Sequence, residues 1–155
     1  MRDSSRPIFV RDATAEDWPA IAELLGASAL PLAGAREHLP EFVVCVDEQG
    51  AVEGCAGAER YGRIGLLRSV AVANTAQRSG VGRALVGRVL SRLEAHDVTT
   101  VALLTTSAEP YFRAFGFRPV DRSRLPPELA GSAELKGACP ASAVAMLLDL
   151  RDRGG

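Results

Sequence analysis

The sequence predicts an α+β fold: a mixed, mostly antiparallel central sheet of about six to seven strands flanked by helices, with one parallel β-α-β crossover in its second half. Three observations carry this. Apolar, β-rich runs at 42–46 and 52–58 are separated by Asp47, Glu48, Gln49 and Gly50, a polar stretch ending in glycine that suits a hairpin turn. A strand pattern at 65–72 passes through a glycine-punctuated turn into a helix over about 83–96, whose Leu85, Val86, Val89, Leu90 and Leu93 fall on one face. Residues 101–104 then form a continuous apolar run, as a strand buried on both faces does. A helix between two such strands is the crossover of a parallel pair.

The remaining elements follow in chain order. Residues 8–11 read as a short first strand. Asp17, before Trp18 and Pro19, reads as the N-cap of a helix through about Leu25. A weaker helical piece covers 33–38. A short helix over about 109–115 ends at Gly116, a residue suited to a left-handed C-cap, and 117–120 begins another strand. Residues 121–139 contain Pro126 and Pro127 among polar residues, which predicts a loop with one short helix, and 143–150 is the last strand. No internal repeat or low-complexity segment is visible.

At 155 residues the chain has the length of one ordinary domain, so a single domain over 1–155 is expected to carry everything. A composition of 47% hydrophobic and 24% charged residues fits a globular protein rather than a disordered one. No apolar run approaches the roughly 18–20 residues that span a bilayer, and the amino end lacks a signal-peptide stretch, so a cytoplasmic location is expected. The net charge of -1 gives no global basic excess, so neither nucleic acid nor membrane is expected as a partner. Cys45, Cys55 and Cys139 are an odd number without C-x-x-C spacing, which fits neither a disulfide framework nor a zinc ribbon. Free thiols behaving as small hydrophobes are the default, and no metal is expected; a three-thiolate site for a soft ion would require all three to converge.

Chemistry concentrates between Val70 and Leu85. A strand delivers the chain into a turn from which a helix leaves, and such a junction points unpaired backbone N–H groups at an anion where the helix dipole is positive. Gly80 and Gly82 permit close approach of a pyrophosphate, and Arg78 and Arg83 add charge at the rim. Two better-known glycine loops do not fit. A dinucleotide fingerprint starting at Gly80 requires glycine where Leu85 stands, and a Walker loop requires a Gly-Lys-Ser/Thr ending that is absent. A helix that merely begins with glycines is the bland alternative.

The pattern Gln77-x-x-Gly80-x-Gly82 resembles the Q/R-x-x-G-x-G/A motif of the GNAT superfamily of N-acetyltransferases, and the preceding Leu67, Arg68, Ser69, Val70, Ala71 and Val72 resemble that family's fourth strand. Tyr111-Phe112-Arg113-Ala114-Phe115-Gly116-Phe117 is similar to the family's F-Y-x-x-x-G-F helix end. Order and spacing agree over nearly the whole chain. Within the superfamily, Leu103 to Ala108, Phe117 to Asp121 and Leu125 to Glu128 resemble the acetyltransferase domain of bacterial N-acetylglutamate synthases, without a preceding amino-acid kinase domain. Cys139 to Val144 resembles the end of small acetyltransferases associated with arsenic-resistance operons.

The resemblance implies acetyl-coenzyme A as co-substrate and acetyl transfer to an amine in a ternary complex. It implies that the backbone of Arg78, Ser79, Gly80, Val81, Gly82, Arg83 and Ala84 holds the pyrophosphate after Gln77. It also implies that Val70, Ala71 and Val72 pair with the pantetheine arm, and that the Val70 amide stabilises the oxyanion. A homodimer through the carboxy-terminal strands is a further implication. The family's acid tyrosine, four residues before the glycine of the G-F pair, is here Phe112. Tyr111, Ser107 or a water are the alternatives, and coenzyme A leaves reasonably as thiolate without one.

An attacking ammonium must lose a proton, and Glu59, at the end of the third strand, is the candidate base, with a solvated edge charge beside Arg60 as the other reading. Arg68 and Ser69 interrupt apolar neighbours. An arginine there needs a partner: either the carboxylate of a small amino-acid-like acceptor, with Thr105 and Thr106 nearby, or a salt bridge to an acid such as Glu59. A degenerate fold acting as a coenzyme A sensor or interaction module, or acetylation of a protein amine, are the alternative functions.

Overall fold

A computed structural model describes residues 7–77 and 80–153. Seven strands form one sheet in the order β1-β2-β3-β4-β5-β7-β6. They are β1 (Phe9–Asp12), β2 (Val43–Val46), β3 (Val52–Tyr61), β4 (Ile64–Val72), β5 (Thr100–Thr105), β6 (Arg118–Val120) and β7 (Val144–Asp149). All neighbours are antiparallel except β4 and β5. The helices are α1 (Trp18–Ala27), α2 (Val81–Ala95), α3 (Glu109–Arg113) and α4 (Leu150–Arg153). The expected α+β class, mixed and mostly antiparallel sheet and parallel crossover are all present. Among the described residues, no helix is long and apolar enough to cross a membrane.

Alternation along the strands sorts the core into two faces. Val43, Cys45, Ala56 and Ala58 pack under Leu85, Val86, Val89, Leu90 and Leu93 of α2. On the opposite face Phe42, Val44 and Cys55 pack against Ile21 and Leu25 of α1. Cys45 and Cys55 therefore lie on opposite sides of the sheet, and no group of three or more potential metal ligands converges among the described residues.

The alternation of β4 breaks once. Leu67 belongs to the α2 face, and Ala71, four residues on, to the α1 face. In a regular strand the two would share a side. The register explains the change: Cys55 pairs with Ala71 and Gly57 with Arg68, so the single residue Ala56 opposes both Ser69 and Val70. This is a β-bulge, and Ser69 takes a left-handed φ of 61° to make it. The bulge bends β4 where its other edge also changes. Parallel pairing with β5 is confined to Ile64–Thr100, Gly65–Val101 and Leu66–Ala102. Beyond Leu66 the two strands part.

Several local expectations are corrected. Asp17 does stand at the N-cap of α1, with Pro19 in the first turn, but makes no side-chain cap bond there; its carboxylate accepts from the Thr14 amide (2.8 Å) and pairs with Arg11, closing a 3-10 turn over Ala15–Asp17. The helical piece expected over 33–38 is a 3-10 helix at Arg36–Glu41, which accommodates Pro40 near its end. Residues 121–139 hold three short turns rather than one, at Arg122–Arg124, Pro127–Gly131 and Glu134–Ala138.

One glycine is fixed by packing. A Cβ on Gly57 would overlap the ring of fully buried Phe42, which has no room to retreat. Gly57→Ala is therefore expected to cost about 1–3 kcal/mol, seen as a lower urea midpoint with unchanged denaturant slope.

Candidate active site

The parting of β4 from β5 opens a cleft of about 1070 Å³. One wall is β4 from Leu67 to Val72; the other is Leu103 to Ala108 at the end of β5, with Tyr111 and Phe112 of α3. Residues 28–31 after α1 and Cys139, Pro140 and Ala143 before β7 close one end, and Gln77, Gly80, Gly82 and Arg83 the other.

Along β4, the Ala73 amide donates to the Glu53 carbonyl on β3 (2.9 Å). Peptide groups alternate in direction along a strand, so those of Val72, and of Val70 before it, point toward the β5 side. There β5 has already departed, and these groups face the cleft. The Val72 carbonyl takes a hydrogen bond from Gln77 Nε2 (3.1 Å), which also reaches Asn74 Oδ1 (3.3 Å). Gln77 thus ties the turn to the end of β4.

The turn ends at Gly80, whose φ of 87° favours glycine. Val81, Gly82 and Arg83 open α2, and their amides precede the first intrahelical bond. The Ala84 amide already donates to the Gly80 carbonyl (3.0 Å), so Ala84 is removed from the expected anion-binding set. Arg78 and Ser79 lie outside the described residues. A Cβ on Gly82 would sit 2.5 Å from the Tyr111 hydroxyl, so Tyr111 reaches the helix end. Burial raises the Tyr111 hydroxyl above its ordinary pKa, with Arg83 opposing. Phe112 is buried and edge-on to Phe117 (ring centroids 6.1 Å apart), so the side chain at the family's acid position carries no proton.

Opposite, Thr105 Oγ1 accepts from the Ala108 amide (3.0 Å), shaping the end of β5, while Thr106 and Ser107 stand exposed on the cleft rim. Ser69 is buried and its hydroxyl accepts from Arg68 Nε (3.0 Å).

The expected roles of Glu59 and Arg68 are corrected. Arg68 Nη1 donates to Glu59 at 2.7 Å, its Nε lies 3.4 Å from Glu134, and its Nη2 donates to the Pro31 carbonyl (3.1 Å). The guanidinium has no exposed side-chain surface, and each nitrogen already has a partner, so a substrate carboxylate has no donor fork to engage. Glu59 is fully buried and does not line the cleft. Burial pushes its carboxyl up, but hydrogen bonds from Tyr61, Arg68 and Ser132 outweigh this and hold it below the ordinary value. A carboxylate stabilised in this way is a poor base. Burial and the Glu59 bond push the Tyr61 hydroxyl up to about 12, and His38 Nε2 sits 3.7 Å from Glu59.

Sequence reasoning missed Glu134 and Ser132, which complete this cluster from the turns before β7, and read Cys139 beside them only as a free thiol or a soft-ion ligand. Glu134 and Ser132 are buried, and the Cys139 amide donates to the Glu134 backbone carbonyl (3.3 Å). They sit in a stretch that reads as a polar loop. The one available signal was Arg68 itself, a cation in an apolar strand that demanded acids.

Arg68→Ala would leave Glu59 and Glu134 buried without their guanidinium. A loss of about 3–5 kcal/mol in unfolding free energy is expected from chemical denaturation, rather than a selective rise in KM.

Comparison with known proteins agrees with this geometry. Residues 39–119 match the model of the acetyltransferase (GNAT) domain, a stretch that runs from before β2 into β6 and includes the bulge, the parting strands, the turn and α2. An uncharacterised N-acetyltransferase of Chlorobaculum tepidum is 29% identical over 94 residues, covering 60% of this chain and 59% of that protein's length. N-acetylglutamate synthase from Neisseria gonorrhoeae, complexed with coenzyme A and N-acetyl-glutamate, superimposes with a TM-score of 0.79 at 22% identity, over 93% of this chain and 35% of that one. A Mycobacterium tuberculosis protein in complex with CoA and a second ligand gives 0.75 at 26% identity, over 91% and 98% of the two chains. The motif, the fold and the family match coincide on the same residues: the chain belongs to the GNAT acetyltransferase family.

Proposed function

We propose that this chain moves an acetyl group from acetyl-coenzyme A to the amine of a small molecule, an amino acid or amino-acid-like compound, within one ternary complex. The observation that carries this is the unpaired edge of β4 after Leu66, aimed along a cleft that ends at the N-terminus of α2. An extended amide-bearing arm can add to that edge as a strand would, and a pyrophosphate can sit on the amides of Val81, Gly82 and Arg83. The residues present fit the coenzyme: Gly82 lacks the Cβ that would crowd this corner, and Gly80 supplies the left-handed residue that turns the chain into α2.

When bound, acetyl-coenzyme A supplies the thioester carbon and the leaving thiol. The Val70 amide, held toward the cleft by the bulge, is placed to stabilise negative charge on the carbonyl oxygen. Phe112 leaves the thiol without a tyrosine donor; Ser107 on the rim, or a water beside it, takes that role if a donor is needed. The neighbour solved with N-acetyl-glutamate supports an amino-acid-like acceptor. Because Arg68 is committed to acids, the carboxylate of such an acceptor falls to hydroxyl and main-chain donors around Ser69, Thr105, Thr106 and Ser107.

Gly82→Glu places bulk and negative charge where the pyrophosphate would bind. It is expected to abolish acetyl-coenzyme A binding by calorimetry in a folded protein; retained affinity removes the assignment.

The acceptor is tested with a panel of amino acids, their decarboxylated amines, polyamines and peptide amino termini, read by thiol release and product mass. Amino acids are expected to react and their decarboxylated counterparts to react poorly. Equal rates on the two would discard the amino-acid acceptor, and coenzyme binding without any turnover would favour a sensor.

A further inference from the structure

Three elements meet at one corner of the cleft. The position that a Cβ would take on Gly82, in the first turn of α2, lies 2.5 Å from the Tyr111 hydroxyl oxygen and 3.8 Å from Val72 Cγ2. The end of β4, the start of α2 and a side chain of α3 therefore converge there, with Tyr111 reaching across from the β5 wall. Its ring is edge-on to Phe112 and Phe115, with centroids 5.1 and 5.4 Å away, so packing places the hydroxyl. The residue is nevertheless 40% exposed, and its hydroxyl has no hydrogen-bond partner among the described residues.

The electrostatics of this corner are one-sided. Arg83, next to Gly82, is exposed and pairs with no carboxylate among the described residues. The amides of Val81, Gly82 and Arg83 open α2 without intrahelical partners. Among the described residues that line the cleft there is no Asp or Glu. Hydrogen-bond donors and positive charge thus gather at one point with no anion to meet them.

The coenzyme would supply that anion in a defined place. An arm paired along β4 leaves the strand at Val72, and a diphosphate that follows it onto the α2 amides must turn past Gly82. The phosphate joined to the arm then passes the corner that Tyr111 reaches. We infer that the Tyr111 hydroxyl donates to the diphosphate of acetyl-coenzyme A, at the phosphate that carries the pantetheine arm, and so closes the anion site from the wall opposite α2. This rests on the acetyl-transfer reading above and deepens it, by making Tyr111 a coenzyme-binding residue rather than a proton donor.

The same geometry takes Tyr111 away from the leaving thiol. Its oxygen stands beside Val72, whereas the thioester belongs beside Val70, two residues back and about 6–7 Å along the strand. A proton donor must be within hydrogen-bond reach of the atom it serves. Burial raises the hydroxyl above its ordinary pKa, with Arg83 opposing, so it stays protonated and able to donate at neutral pH. Gly82 also gains a second role: its missing Cβ leaves the space that the hydroxyl occupies, and an alanine methyl would displace it.

Two measurements on the full chain test this without turnover. The first is calorimetry with coenzyme A. Tyr111→Phe keeps the ring and its edge contacts, and should weaken binding about tenfold through loss of one hydrogen bond to a charged group. Gly82→Ala, which favours a helix over glycine, should fold and lose about as much by pushing the hydroxyl aside. In the double variant the two losses should not multiply, because both remove the same bond and the remaining ring carbon Cζ stands 3.6 Å from the new methyl, an ordinary contact. Native affinity in Tyr111→Phe, or a loss of about a hundredfold in the double variant, overturns the inference.

The second is phosphorus NMR of coenzyme A held at saturation. The diphosphate resonances should differ between the native chain and Tyr111→Phe, while that of the 3′-phosphate, at the other end of the nucleotide, stays in place. An unmoved diphosphate, or movement of the 3′-phosphate alone, overturns the contact. A native chain that fails to bind coenzyme A overturns the transfer reading and this inference with it; native binding that is insensitive to Tyr111→Phe overturns this inference alone.

Discussion

One extra residue in β4 sets the geometry on which everything else depends. The bulge at Ser69 and Val70 exchanges the two faces of the strand, moving Ala71 onto the α1 face and Val70 and Val72 onto the α2 face. It does so just past the point where β5 stops pairing. A parallel neighbour that continued would consume the outward peptide groups of β4; a straight β4 would present different ones. A left-handed non-glycine residue costs on the order of 1–3 kcal/mol, which the surrounding structure must offset. The offset is visible. The Ser69 carbonyl accepts from the Cys55 thiol (3.3 Å) and its hydroxyl from Arg68, so both ends of the strained residue are held.

Arg68 connects this strain to the end of the cleft closed by residues 28–31 and 139–143. Its side chain leaves β4 one residue before the bulge and gathers groups from four separate segments: Glu59 on β3, the Pro31 carbonyl after α1, Ser69 on its own strand and Glu134 before β7. A buried ion cluster is weak evidence for net stability, because desolvation opposes it, but it fixes geometry. Here it fastens the two loops that close the cleft to the bulge between them. Gly34 shows how tight the arrangement is: a Cβ there would lie 3.1 Å from Arg68 Nη1.

Most of the fold was legible because its signals are local. The apolar face of α2, the Asp47 to Gly50 turn and the continuous run of β5 each specify their element without help from distant residues. The α2 end of the cleft was legible for the same reason: Gln77, Gly80 and Gly82 lie within six residues of a strand-turn-helix junction. The opposite end was not. Glu59 and Arg68 were both singled out as charges in apolar strands, and the alternative of a mutual salt bridge was visible. Which reading held depended on Glu134, a residue 66 positions from Arg68 in a segment with no periodic pattern. The bulge was equally hidden, because nothing in the local sequence marks the left-handed φ of Ser69 or its shared position with Val70 against Ala56.

The two halves of the cleft therefore follow different physical rules. At the α2 end, the proposed coenzyme site is made of main-chain groups and of glycines that keep side chains away, which ties it to backbone conformation. At the other end, the polar character comes from the buried cluster around Arg68, which lines the cleft together with Ser69 and Cys139. A change in the loops at 28–31 or 132–140 would act on the Arg68 end of the cleft rather than on the free edge of β4. The two ends can therefore change independently, because the Arg68 end is built from loop segments that the sheet does not constrain.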